Sequence, residues 1–162
     1  MKTALLAEQF PSLDFAKKAD EWLASIGSKT IEKQLTERRV KTIFFKMLPR
    51  KPKKKRILGG LIQIGDLFFI EINKRYARET AKTLGHEIAH TFEDKRYFPF
   101  FGVSSADDFP KFIVDMVWAL YRLIEQFCDK FAKRWLAING RMKVHRFLKR
   151  AAPCWKNDVV QP

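Results

Sequence analysis

A chain of 162 residues that is 46% hydrophobic, with 15 Phe and 4 Trp, holds enough apolar volume for one buried core and is no disordered tail. Its two cysteines, Cys128 and Cys154, are too few for a disulfide framework, and no apolar run is long enough to span a bilayer or, at the N-terminus, to act as a signal-peptide core. The expectation is a single domain over 1–162 in a reducing, cytoplasmic setting, with a formal net charge of +14 that suits an acidic partner, an anionic surface or nucleic acid.

The charge is uneven. Residues 29–56 carry twelve Lys and Arg against two Glu, and residues 111–162 carry eleven against four acids, whereas 57–110 are slightly acidic. The basic surface is therefore separate in sequence from the middle of the chain.

In order, residues 12–26 (SLDFAKKADEWLASI) put Leu13, Phe15, Ala16, Ala19, Trp22, Leu23 and Ile26 largely on one side of a helix that Gly27 can end. Ser28 can cap a second helix, KTIEKQLTERR, which completes a helical N-terminal part over 1–39. VKTIFFKML at 40–48 reads as a strand. The following LPRKPKKKR reads as a loop or hairpin tip. Arg50, Lys51, Lys53, Lys54, Lys55 and Arg56 there are candidate nucleic-acid contacts, or simply a solvated loop. LIQI and LFFIEIN flank Gly65-Asp66 as a β-hairpin, so a small antiparallel sheet is expected to lead into the next helix, with an exposed edge able to take up an extended peptide.

That next helix, expected over 75–95, contains GHEIAH. His86 and His90 are four residues apart and so lie one above the other, about 6 Å along the axis and about 40° around it. H-E-x-x-H on a helix is a metallopeptidase signature, in which the two His ligate zinc and the Glu, here Glu87, is the general base. The opposite face, Ala77, Ala81, Leu84, Ile88 and Phe92, is apolar and packs, an arrangement that also suits a plain amphipathic surface helix.

Residues 96–110 are aromatic-rich with Gly, Pro, Ser and Asp, and read as an ordered loop. A helix over 111–138 follows, with Ile113, Val117, Leu120, Ile124, Phe127, Phe131 and Trp135 as its stripe and Val114, Trp118, Tyr121, Ala132 and Leu136 on one flank. Glu125 falls inside that flank. A carboxylate among apolar side chains must be paired, protonated or bound to a metal, so Glu125 is either the third ligand that two imidazoles require or half of an ion pair. Asp129, one turn on, is either the acceptor for a ligand imidazole's second N–H or a surface partner of Lys133. Residues 139–162 complete the chain with a basic helix, GRMKVHRFLKR, and a tail expected to be loosely held. Tyr97, Tyr121 and His145 are candidate oxyanion donors.

HEIAH at 86–90 together with EQFCDKFAKRWLA at 125–137 resembles the ImmA/IrrE family of zinc metallopeptidases, whose second motif runs E-x-x-A-N-x-F-A-x-x-L-L. Glu125, Cys128, Asp129, Phe131, Ala132, Trp135 and Leu136 take those places, with Cys for Ala, Asp for Asn and no closing Leu-Leu-x-Pro. The resemblance spans about 57–136. It implies an α+β, zincin-like core over 40–138 with Zn2+ on His86, His90 and Glu125. It also implies a protein substrate, a helix-turn-helix transcriptional repressor.

Overall fold

The computed structural model describes residues 14–48, 56–93 and 110–157. The basic residues 50–55, the loop expected at 96–109, Tyr97, the side chain of Ile113 and the last five residues lie outside them. Within these bounds the chain is an α+β fold of five α-helices and one mixed four-stranded sheet.

Two short helices open it. Helix α1 (Phe15–Ser25) buries Phe15, Ala19 and Leu23, and α2 (Ile31–Glu37) buries Ile31, Gln34 and Leu35. The N-cap of α2 is Thr30, whose side chain accepts from Lys33 N–H at 3.2 Å, rather than Ser28.

The sheet consists of β1 (Val40–Lys46), β2 (Gly59–Ile64), β3 (Leu67–Asn73) and β4 (Cys154–Lys156), in the order β2-β3-β1-β4. β2 and β3 form the expected hairpin, turning at Gly65, whose φ of 62° suits a residue without Cβ. β1, however, pairs parallel to β3, with Ile43 opposite Ile70 and Phe45 opposite Ile72. The sheet is mixed, not antiparallel. Lying between β2 and β1, β3 takes a central position, which its apolar residues Leu67, Phe68, Phe69, Ile70 and Ile72 favour.

The fourth strand corrects the expectation of a loose tail. Thr42, Ile43 and Phe44 pair with Lys156, Trp155 and Cys154, and Asn157 N–H donates to Lys41 O at 2.9 Å. Trp155 meets Phe147 edge to face at 5.9 Å between ring centroids.

Helix α3 (Thr80–His90) starts later than the pattern suggests. Asn73 closes β3, its side chain accepting from Arg75 N–H at 3.1 Å, and a 3-10 turn over Lys74–Tyr76 intervenes, so Ala77 is exposed and lies outside the stripe. Ala81, Leu84, Ile88 and Ala89 are fully buried. Helix α4 (Lys111–Asn139) buries Ile124, Cys128, Phe131, Ala132, Trp135 and Leu136, but Trp118 and Tyr121 are exposed rather than packed. Helix α5 (Arg141–Ala151) packs Val144, Phe147, Leu148 and Ala151. Among the described residues no helix is long and apolar enough to cross a membrane.

The crossing of α3 on α4 positions the site. A Cβ on Gly85 would lie 2.9 Å from Trp135 Cε3 and 3.1 Å from Ala132 Cα, so only glycine lets the two backbones come this close. Trp135 is anchored in turn, its indole N–H donating to buried Gln34 Oε1 at 2.8 Å, while Gln34 donates to Asn139 at 2.8 Å.

Candidate metal centre

His86 and His90 leave the exposed side of α3, and Glu125 meets them from α4. His86 Nε2 is 3.1 Å from Glu125 Oε2, His90 Nε2 is 3.1 Å from Glu125 Oε1, and the two Nε2 atoms are 3.1 Å apart. One donor atom from each of the three residues lies within 4.8 Å of the others, a group that could hold a metal ion. Tetrahedral coordination at about 2.0–2.1 Å asks for donors about 3.3 Å apart, so the three side chains fit a metal with little adjustment.

The other face of each imidazole supplies the second half of the fit. His86 Nδ1 lies 3.0 Å from Asp129 Oδ1, and His90 Nδ1 lies 3.2 Å from Glu93 Oε2. An Nδ1–H donated to each of these carboxylates would leave both Nε2 atoms free to face a metal, whereas without metal the Nε2 atoms hydrogen-bond Glu125. Asp129, with 51% of its side chain exposed, is also 3.6 Å from Lys82 Nζ. The partner found for it is therefore across the helix pair, on α3.

Glu125 keeps 24% of its side chain exposed, so it is half-buried rather than enclosed in the apolar flank. Burial pushes its pKa up, but hydrogen bonds from His86 and His90 overcome this and hold the carboxyl well below its usual range. The imidazoles answer in the opposite sense. Burial disfavours their charged forms, yet the Glu125 hydrogen bond at His86, and contacts with Cys128, Glu125 and Glu93 at His90, raise both above 6.5.

Glu87 projects to the sheet side of the same helix and is 6% exposed. Burial raises its pKa, with His90 and His86 pulling the other way. That is the setting of a carboxylate poised to take up a proton. A Cβ on Gly59 would come within 2.6 Å of Thr83 Cγ2 and 2.7 Å of Glu71 O, so glycine at the start of edge strand β2 makes room for α3 and the β3 backbone, with Glu87 Oε1 close by at 3.4 Å.

Two further groups adjoin the centre. Tyr121, one turn before Glu125, is raised in pKa by burial and by the charge and hydrogen bond of Glu125, which puts its hydroxyl at the ligand carboxylate. His145 is on α5 and takes no part in the cluster. The sequence reading missed two neighbours. Cys128, fully buried on α4, contacts His90, and burial raises its thiol. Glu93, three residues after His90, had a signal in that spacing, but a helix assumed to run on to 95 hid the turn that folds it back.

Of the six basic loop candidates only Arg56 lies among the described residues, its guanidinium 5.3 Å from the Tyr76 ring centroid. Comparison of the chain with protein-family models, curated proteins and solved structures finds no match. What these side chains can do therefore follows from their own geometry.

Proposed function

We propose that the chain is a zinc-dependent endopeptidase with a zincin-like site, in which His86, His90 and Glu125 hold the metal and Glu87 is the general base. The observation that carries this reading is the convergence of two Nε2 atoms and one carboxylate at 3.1 Å separations, with a separate buried carboxylate one residue from the first ligand. Zinc bound there would supply Lewis acidity, activating water near neutral pH and polarising a carbonyl.

The chain's own residues account for the remaining tasks. Glu87, buried and with a raised pKa, accepts a proton from the attacking water and passes it to the leaving amine. Among the described residues no strand pairs with the outer edge of β2, so an extended peptide can add to the sheet there, next to Glu87. Tyr121, whose hydroxyl interacts with Glu125, is the candidate oxyanion donor. The proposed substrate class, a helix-turn-helix regulator met in a cytoplasmic setting, rests on the ImmA/IrrE resemblance of the two motifs.

The test is Glu87→Gln, which keeps the shape but cannot take a proton. Cleavage of a regulator substrate should fall by at least about 100-fold while zinc stays bound. Undiminished turnover in that variant would remove Glu87 from the reaction.

A second reading, affinity for nucleic acid, is favoured by α5, which exposes Arg141, Lys143, Arg146, Lys149 and Arg150 and contains no acidic residue. Binding to duplex DNA should weaken steeply with salt, and less steeply once Lys143, Arg146 and Lys149 become Ala. Salt-independent binding, or none, would exclude it.

A further inference from the structure

Glu93 lies three residues after His90 and meets it across the turn that closes α3. After His90 the backbone tightens: Thr91 N–H donates to Ile88 O at 3.0 Å, Phe92 N–H to Ala89 O at 3.1 Å and Glu93 N–H to His90 O at 3.2 Å. These are the short-range bonds of a closing turn, and they swing the Glu93 carboxylate back onto His90 Nδ1.

Trp22 and Phe131 pack on Phe92 of this turn, and its backbone is hydrogen-bonded from outside by Arg38, at the C-terminal end of α2. Arg38 Nε donates to Thr91 Oγ1 at 3.0 Å and its Nη2 donates to Thr91 O at 3.0 Å. Its Cζ sits 3.5 Å from the Phe92 ring centroid. One guanidinium therefore satisfies an orphan carbonyl at the end of α3, adds positive charge at the negative end of the helix, and stacks on the next residue. Burial lowers its pKa to about 10, which still leaves it charged at neutral pH. It touches neither His90 nor the point where the three ligand atoms converge.

We infer that Arg38 is a positioning residue for the metal centre: by clamping Thr91 and Phe92 it fixes the turn that presents Glu93 to His90, and so sets that imidazole's tautomer and its basicity toward the metal. This rests on the proposed metal site and assigns two residues, Arg38 and Glu93, that neither motif contains. Removing such a carboxylate partner weakens metal binding about 10–100-fold. Glu93 also lines an open cleft of about 790 Å3 with Arg38, Lys18 and Glu21 and is not part of the apolar core.

The experiment is a double-mutant cycle on zinc affinity, measured by chelator competition, with the unfolding temperature of each metal-free variant recorded alongside. Glu93→Ala should weaken zinc about 10–100-fold, and Glu93→Gln, whose amide oxygen still accepts from Nδ1–H, should recover part of the loss. Arg38→Met, which keeps the apolar stem but has no donors, should weaken zinc by a comparable factor, and the double variant should be no weaker than Glu93→Ala alone. Losses that multiply in the double variant, or Arg38→Met with unchanged affinity, would overturn the inference. If Arg38→Met does not fold, Glu93→Ala decides, since wild-type affinity there would remove the carboxylate's role. A wild-type chain that binds no zinc would instead defeat the metal site itself.

Discussion

The centre is a cluster of titrating groups with opposed demands. Without metal, neighbouring carboxylates hold His86 and His90 above their ordinary 6.5, so their stabilisation is complete below that value and is lost as pH rises through the folded-state pKa values. Glu87, raised from 4.5 by burial, acts in the same direction from a lower starting point. Glu125 acts oppositely. Its depressed pKa contributes stability above 4.5 that is lost as pH falls through the folded value. The metal-free protein should therefore melt at falling temperatures as pH climbs past about 6.5, whereas zinc, which needs neutral imidazoles, should bind more tightly over the same range. A metal-free melting temperature flat across that range would contradict this set of shifts. The ligand candidates were legible at this scale because i,i+4 histidines and a misplaced Glu are visible in a string of letters. Glu93 had only its i,i+3 spacing from His90 as a signal, and Arg38 gives none until distant elements meet.

Helices with an apolar stripe could be read from period alone, and α1, α2, α4 and α5 fall close to where the pattern puts them. Boundaries set by side-chain capping could not. Asn73 delays α3, and Thr30 rather than Ser28 caps α2. The first turns of α4 carry stripe-like apolar residues, yet Phe112 is 71% exposed, because period records which side could pack and not whether anything is there. The element contact that matters most is α3 on α4 through Gly85. Gly85→Val would drive a branched side chain into Trp135 and Ala132, and should lower stability by about 1–3 kcal/mol and loosen zinc binding as the helices part. Denaturant unfolding measures the first effect, and an unchanged midpoint would mean the crossing is not as tight as the 2.9 Å approach to Trp135 requires.

Across the whole molecule, the sequence carried the α+β class but not the sheet topology. Local pattern identifies β2 and β3 as a hairpin, but nothing local says that β1 passes to the far side of β3, or that three residues after Pro153 add a fourth strand. That topology has a chemical consequence. It leaves β2 at the edge beside Glu87, puts α3 against both the sheet and α4, and so brings residues 59, 87 and 125 to one place. Whether this place holds a metal is read by elemental analysis of the purified protein beside its Glu125→Ala variant. The wild-type chain should carry one zinc, and the variant should lose it or hold it far more weakly. A wild-type chain without metal, or a variant that keeps its zinc at full affinity, would contradict the site.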